Sequence, residues 1–338
     1  MAFAMKRRMG SFAKRGPMSK LSPAELEQYV FSRTGDANEN LLVGPREAED
    51  AAAIETGAGT LVVSTDPVSL AVERIGRIGV AVASNDVAAS GGVPEYVVST
   101  VLLPEMDEDV LDTITRQLHA TCKRLGLTIV GGHTESVAGL ERPLLSLTCL
   151  GYTDRFVSTT TATPDDRVLL TKGAGIEATA VLASDFQEQI DADEATFERA
   201  LSFFDELSVM AEAAVCTPVA TAMHDPTEGG VLGGLVEIAR ASDVDLVLDG
   251  EPVPVRPTTR EFCAAMDVDP LRVLGSGALL TTVPADEAAG TLDALEEEGI
   301  AATDIGHVGA VSGNAPAVVQ NGQRRTEMVQ DGMYALWE

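Results

Sequence analysis

The chain has 338 residues, 45% of them hydrophobic and few aromatic, which is enough apolar material for two ordinary domains and too much for wholesale disorder. Acidic residues outnumber basic ones 52 to 24, a formal charge of −28 that disfavours nucleic acid and anionic membrane surfaces as partners and suits a halophilic protein in concentrated salt. No apolar run approaches the roughly 18–20 residues that span a bilayer, no signal-peptide core opens the chain and no CxxC pairs its four cysteines, so a cytoplasmic protein with small buried thiols is expected.

Residues 1–20 carry Lys6, Arg7, Arg8, Lys14, Arg15 and Lys20 and read as a disordered basic tail, or as sequence upstream of a start at Met18. Folded structure is expected from Ser22, where SPAELEQYVFSR has Ser22 as N-cap, Pro23 at the first helical position and Glu25 completing a capping box. A polar stretch from Thr34 to Asp50 leads to the strand TLVVSTD, a helix through ERIGRIGVAVASNDVAAS and the strand YVVSTVLL. An amphipathic helix from Asp107 to Leu125 follows, then the strands LTIV and RPLLSLTCLGYT. The Thr-rich stretch VSTTTATPDD breaks the pattern, which places a domain boundary there and divides the chain into residues 21–158 and 159–338. The second half reads as the strand VLLTK, a helix at IEATAVLASDF, helices around 195–214 and 228–241, strands VDLVLD and ALLTTV, a helix at ADEAAGTLDALEEEG, and C-terminal strands. The fold class is therefore α/β (α+β) in two domains.

Gly173-Ala174-Gly175-Ile176-Glu177-Ala178 lies between a strand and a helix and meets a relaxed dinucleotide fingerprint, but no second strand ending in an acid follows at the required distance. What survives is either a phosphate-binding helix start with Lys172 beside it or a tight turn with no ligand. No Walker A, HExxH, GxSxG or kinase catalytic loop occurs. Spaced carboxylates are the remaining signal: Asp50 opens an apolar run, Asp66 ends a strand, Asp86 lies in SNDVAAS and Glu135 closes GGHTE. Acids converging from strand ends suit a magnesium–nucleotide site, although a chain this acidic offers many that do not. In His224-Asp225-Pro226-Thr227-Glu228-Gly229-Gly230, Asp225 reads as N-cap, Pro226 as N1 and Glu228 as N3. Capping leaves Gly229, Gly230, Gly233 and Gly234 unexplained, and four glycines in a helix start imply close approach of a ligand or another backbone.

In order, EDAA at 49–52, STD at 64–66, NDVAASGGVPEY at 85–96, GGHTE at 131–135 and DPTEGG at 225–230 resemble the motif series of the aminoimidazole ribonucleotide synthase (PurM)-like superfamily. EIARASDVDLVLDGEPVPVRP and DPLRVLGSGALLTTVP are most similar to its hydrogenase-maturation, HypE-like branch. The resemblance covers roughly residues 21–338. It implies a PurM-like fold whose N-terminal domain lends strands to an intersubunit barrel in a homodimer, followed by a C-terminal α/β domain, with ATP and Mg2+ near the interface. Carried over by motif, Asp50, Asp66 and Asp86 would hold magnesium and phosphates with Asn85 nearby, and Gly131, Gly132 and Thr134 would shape a phosphate-facing turn. Asp225, Gly229 and Gly230 would line the second-domain side of the cleft. The implied activity is phosphorylation of a carbonyl or amide oxygen on a small-molecule or protein-borne substrate. The alternatives are a small-molecule kinase similar to thiamine-monophosphate kinase and a nucleotide-binding scaffold without chemistry.

Four departures bear on the site and its substrate. The chain ends GMYALWE with no cysteine beyond Cys263, against the terminal cysteine of HypE proteins. His133 stands where the family has an acid, which offers the metal role to Glu135. Glu228 replaces the arginine of DPTRGG, and Glu49 an aspartate.

Overall fold

The computed structural model describes residues 21–70 and 72–337; the basic stretch 1–20 lies outside them. The Ser22 capping box forms, with Ser22 and Glu25 exchanging backbone and side-chain hydrogen bonds at the start of α1 (Pro23–Leu26). Instead of continuing as an α-helix, that segment widens at once into a π-helical turn, Glu27–Phe31.

Six strands build the first sheet: β1 (Leu41–Val43), β2 (Ala52–Thr56), β3 (Gly59–Val68), β4 (Val93–Leu103), β5 (Thr128–Ser136) and β6 (Leu144–Thr153), in the order β1-β2-β3-β6-β4-β5. Alternation along β6 sends Leu145, Leu147 and Cys149 into the core, as a half-buried strand requires. They meet α2 (Ile75–Ala89), an almost wholly buried helix of small and branched residues, and α3 (Glu108–Leu125) packs outside it. Asp107 caps α3 by accepting from the amides of Asp109 and Val110, and Gly126 ends it at φ 76°. β5 pairs in parallel with β4 and, among the described residues, has no strand on its other side; all nine of its residues are exposed, including the apolar Ile129 and Val130.

The chain leaves this sheet after Thr153 and enters the second at Arg167. There β7 (Arg167–Thr171), β8 (Ala222–His224), β9 (Asp245–Val247), β10 (Leu280–Val283), β11 (Ala302–Gly309), β12 (Ala317–Gln320) and β13 (Gln323–Arg325) take the order β13-β12-β9-β11-β7-β10-β8. The helices are α4 (Ile176–Asp185), α5 (Glu194–Ser202), α6 (Met210–Cys216), α7 (Gly230–Ala241), α8 (Pro257–Ala265) and α9 (Ala288–Glu297). The region expected as helix over 195–214 is broken by the turn Phe203–Val209, for which the two halves of the molecule compete. Five successive carbonyls of this turn each accept from a side chain. Arg77 bonds Phe204, Arg124 bonds Asp205, Lys172 bonds both Glu206 and Ser208, and Asn85 bonds Leu207.

All four cysteines are buried and free. Burial pushes the Cys122 thiol up to about 11 and those of Cys149, Cys216 and Cys263 up to about 12, so none is a nucleophile at neutral pH. Among the described residues no helix is long and apolar enough to cross a membrane.

Candidate active site

The two sheets converge on an acidic cluster. Asp50 precedes β2, Asp86 sits in the last turn and a half of α2, and Asp225 follows β8; each offers a carboxylate oxygen within 4.8 Å of the others'. Asp66, on β3, hydrogen-bonds Asp86, and Ser64, two residues earlier on the same face, donates to Asp86 Oδ2. His224, the last residue of β8, spans the cluster's edge: Nδ1 lies 3.1 Å from Asp50 Oδ2 and Nε2 lies 2.9 Å from Glu237 Oε2 on α7. α7 reaches His224 because Gly234 faces it, where a Cβ would meet the imidazole at 3.0 Å.

Asp225 is 1% exposed and neither of its oxygens has a hydrogen-bond partner. It does not cap the helix, as the sequence pattern suggests. α7 begins five residues later, behind its N-cap Gly229, whose amide donates to Asp331 at 2.8 Å, so capping comes from the far end of the chain and leaves Asp225 free for the cluster. Burial first, then the charges of Asp50 and Asp66 against an opposing His224, pushes the Asp225 carboxyl well above its ordinary value. Asp86 is raised in the same direction by burial and by Asp225, Asp66 and Asp50. For His224 burial is the largest influence and works downward, but hydrogen bonds to Asp50 and Glu237 and their charges leave it well above its usual pKa. The site thus holds one cation already and has carboxylates to spare. Hard oxygen donors with an orphaned, dehydrated carboxylate fit a magnesium ion. Asp50, Asp86 and Asp225 would hold it, with Asp66 alongside.

Several other residues singled out in the sequence lie elsewhere. Gly131, Gly132, His133, Thr134 and Glu135 form no turn; they continue β5, paired with Val98 through Leu102 of β4. Gly132 is required there because a Cβ would fall 2.1 Å from Ser99 O. Asp66, Leu147, Ser99 and Gly132 form one row across β3, β6, β4 and β5. Three strand spacings, about 14 Å, therefore separate Asp66 from Gly132 within one chain. His133 and Glu135 lie 3.5 Å apart, both exposed.

Asn85 turns away from the cluster, its amide donating to Leu207 O and its oxygen accepting from Val209 N. Lys172 is spent on two carbonyls and on Glu212 at 2.6 Å, and the amides of Ala174, Glu177 and Ala178 go to Pro254, Ser276 and Leu274, so the glycine turn before α4 is closed to phosphate. Gly229 and Gly230 adopt φ of 81° and 62° against Val329 and Val273, which makes the close approach one of backbone rather than ligand. Glu49 bonds Arg46 and Ser158 and burial raises its pKa. Sequence reasoning missed His224, Glu237 and Ser64. His224 stood beside a marked acid, but its two partners are brought by separate elements.

Residues 48–153 match the family model described as AIR synthase related protein, N-terminal domain, and residues 163–318 match AIR synthase related protein, C-terminal domain. The chain is 30% identical over 332 residues to the selenide, water dikinase of Citrifermentans bemidjiense, covering 88% of this chain and 94% of that protein. It is 28% identical over 275 residues to the carbamoyl dehydratase HypE of Rhizobium leguminosarum bv. viciae, covering 78% and 77%. In fold it is similar to the crystal structure of the hydrogenase maturation protein HypE in complex with ATP, with a TM-score of 0.69 at 24% identity over 93% of this chain and 96% of that one. The chain belongs to the AIR synthase related family and has its two-domain PurM-like fold.

Proposed function

We propose that this family member is an ATP- and magnesium-dependent enzyme that moves the γ-phosphoryl group onto a carbonyl or amide oxygen of a small-molecule or protein-borne substrate. The observation that carries this reading is the trio Asp50, Asp86 and Asp225 with both oxygens of buried Asp225 unpaired. Carboxylates so placed ionise together only beside a cation. Bound magnesium would supply charge neutralisation for nucleotide phosphates. The chain's own part is positioning. His224, held between Asp50 and Glu237, fixes the Asp50 carboxylate, and Ser64 holds Asp86 by donating to its Oδ2. A carbonyl oxygen attacks phosphorus without losing a proton, which suits a site whose acids are given over to binding positive charge.

The unpaired, apolar edge of β5 supports a homodimer in which a second copy covers that edge. It also supports delivery of Gly131–Glu135 to the acid cluster of the other copy, since one chain keeps them a sheet's width apart. The acid excess supports work in concentrated salt. Relatives named as a dikinase and a dehydratase favour an enzyme over a scaffold and leave the substrate open.

Phosphate release from ATP in high salt, with candidate amides, tests the assignment. Magnesium- and substrate-stimulated turnover is expected in the wild type and a loss of at least about 100-fold in Asp66→Ala and Asp86→Ala. Equal slow turnover in all three proteins would sink it. A stable phosphorylated product by mass spectrometry identifies a kinase instead, and ATP binding with no turnover a scaffold.

A further inference from the structure

Apart from the acid cluster, three guanidinium groups converge on one cleft. Arg74 immediately precedes α2, Arg77 lies in its first turn and Arg124 ends α3, and with Gln117, Thr121 and Asp205 they line a cavity of about 260 Å³. Asp205 is the sole carboxylate of the lining; it is shared by Arg77 and by Arg124 at 3.2 Å, and its side chain is 64% exposed. Arg74 has no side-chain hydrogen bond or ion pair among the described residues. Within the lining, three guanidiniums face one carboxylate, an excess of two positive charges in a chain that carries −28 overall; two further carboxylates, Glu73 and Asp185, line the adjoining cleft on the other side of Arg74.

Their placement is costly without a further anion. Arg74 and Arg77 stand at the positive end of a 15-residue helix, where cations are disfavoured. Arg77 lies below its ordinary pKa through burial, with the neighbouring charges of Arg124 and Arg74 adding and Asp205 opposing. Gln117 is not free to answer that charge: its oxygen accepts from Gly76 N and its amide donates to Glu73 O. Guanidinium forks match the oxygens of tetrahedral oxyanions, two at a time. The cavity lies below the roughly 300–1,000 Å³ typical of pockets for larger organic ligands, so its size suits a small ion with its water.

We propose that this cleft binds inorganic phosphate or an oxyanion of the same tetrahedral class. Arg77 and Arg124 also hold the carbonyls of Phe204 and Asp205, and the same turn grips Asn85, next to Asp86, through Leu207 and Val209. An anion that draws these arginines off Asp205 therefore acts on the turn that secures the helix carrying Asp86. The site is independent of which reaction the acid cluster performs.

Isothermal titration of the full chain with potassium phosphate, in EDTA at constant high ionic strength, tests it. One saturable site per chain is expected. Arg74→Gln should weaken it about tenfold or more, the loss of one charge-assisted contact, with a melting temperature in phosphate-free buffer no lower than that of the wild type, since Arg74 holds no partner and its charge is disfavoured there. Arg116→Gln removes the same charge from the exposed Asp112–Arg116 pair on α3 and should leave the affinity unchanged. Absence of saturable binding, equal affinity in Arg74→Gln, or an equal loss in Arg116→Gln would overturn the assignment.

Discussion

Replacing Asp225 with Asn keeps the side chain's shape and removes its charge. The ligand oxygens of Asp50, Asp86 and Asp225 lie within 4.8 Å of one another. At a pH alkaline enough to ionise the raised Asp225 carboxyl without metal, two unit charges at such a separation repel by about 3 kcal/mol at an effective dielectric constant of about 20. Attraction to the charged His224 returns part of that, so the metal-free variant should be more stable than wild type by about 1–3 kcal/mol. For domains of this size each kcal/mol moves the melting temperature by about 2–4 °C, so an increase of several degrees in EDTA is expected. Magnesium should reverse the order, because a ligand present at about 100 times its Kd stabilises by about 2.7 kcal/mol and the variant lacks one donor. Scanning calorimetry of both proteins in concentrated KCl, first with EDTA and then along a magnesium titration, reads both effects. A variant that melts below wild type in EDTA, or an equal response of the two proteins to magnesium, would refute the reasoning.

Two further predictions concern other parts of the fold. Burial, with Glu228 and Asp331 adding, pushes Glu177 up to about 7 from 4.5. An acid raised in the folded state loses stability as pH climbs from the unfolded value through the folded one, here by about 3 kcal/mol in all. Glu177→Gln should flatten the urea midpoint between pH 4.5 and 7 and be the more stable protein above pH 7; parallel curves would exclude this. Gly132→Ala drives a methyl group to 2.1 Å from Ser99 O and should cost at least about 2 kcal/mol and open the β4–β5 amides to hydrogen exchange. Gly131→Ala meets nothing within 4 Å and should leave β5 protection as in wild type; equal loss in both variants would show that strain against Ser99 is not the cause.

Periodicity made the long elements legible. The capping box at Ser22, the helix behind Asp107 and the strand through TLVVSTD follow from signals within a dozen residues, and the chain forms each of them. The short strands β1 and β8, three residues each, carry too few residues to display a period. The acids Asp50, Asp66, Asp86 and Asp225 were visible as residues, but their meeting depends on two sheets folding toward one another, which no local pattern encodes. D-P-x-E at 225–228 misleads for a related reason: its local cap loses to Asp331, about a hundred positions away, which reaches the Gly229 amide first. The family resemblance implies a phosphate-facing turn at Gly131, Gly132 and Thr134, whereas Gly132 serves a strand whose neighbour comes too close for any side chain.

The grip on the turn at 204–208 has an evolutionary consequence. Because Arg77, Arg124, Lys172 and Asn85 hold carbonyl oxygens, which every amino acid supplies, these bonds do not read side-chain identity. Identity is read separately, by the core around Phe204 and Leu207 and by the arginines that hold Asp205 and Glu206. Across relatives, the four donors and the apolar character of positions 204 and 207 should stay constant together, with position 208 the freest to vary.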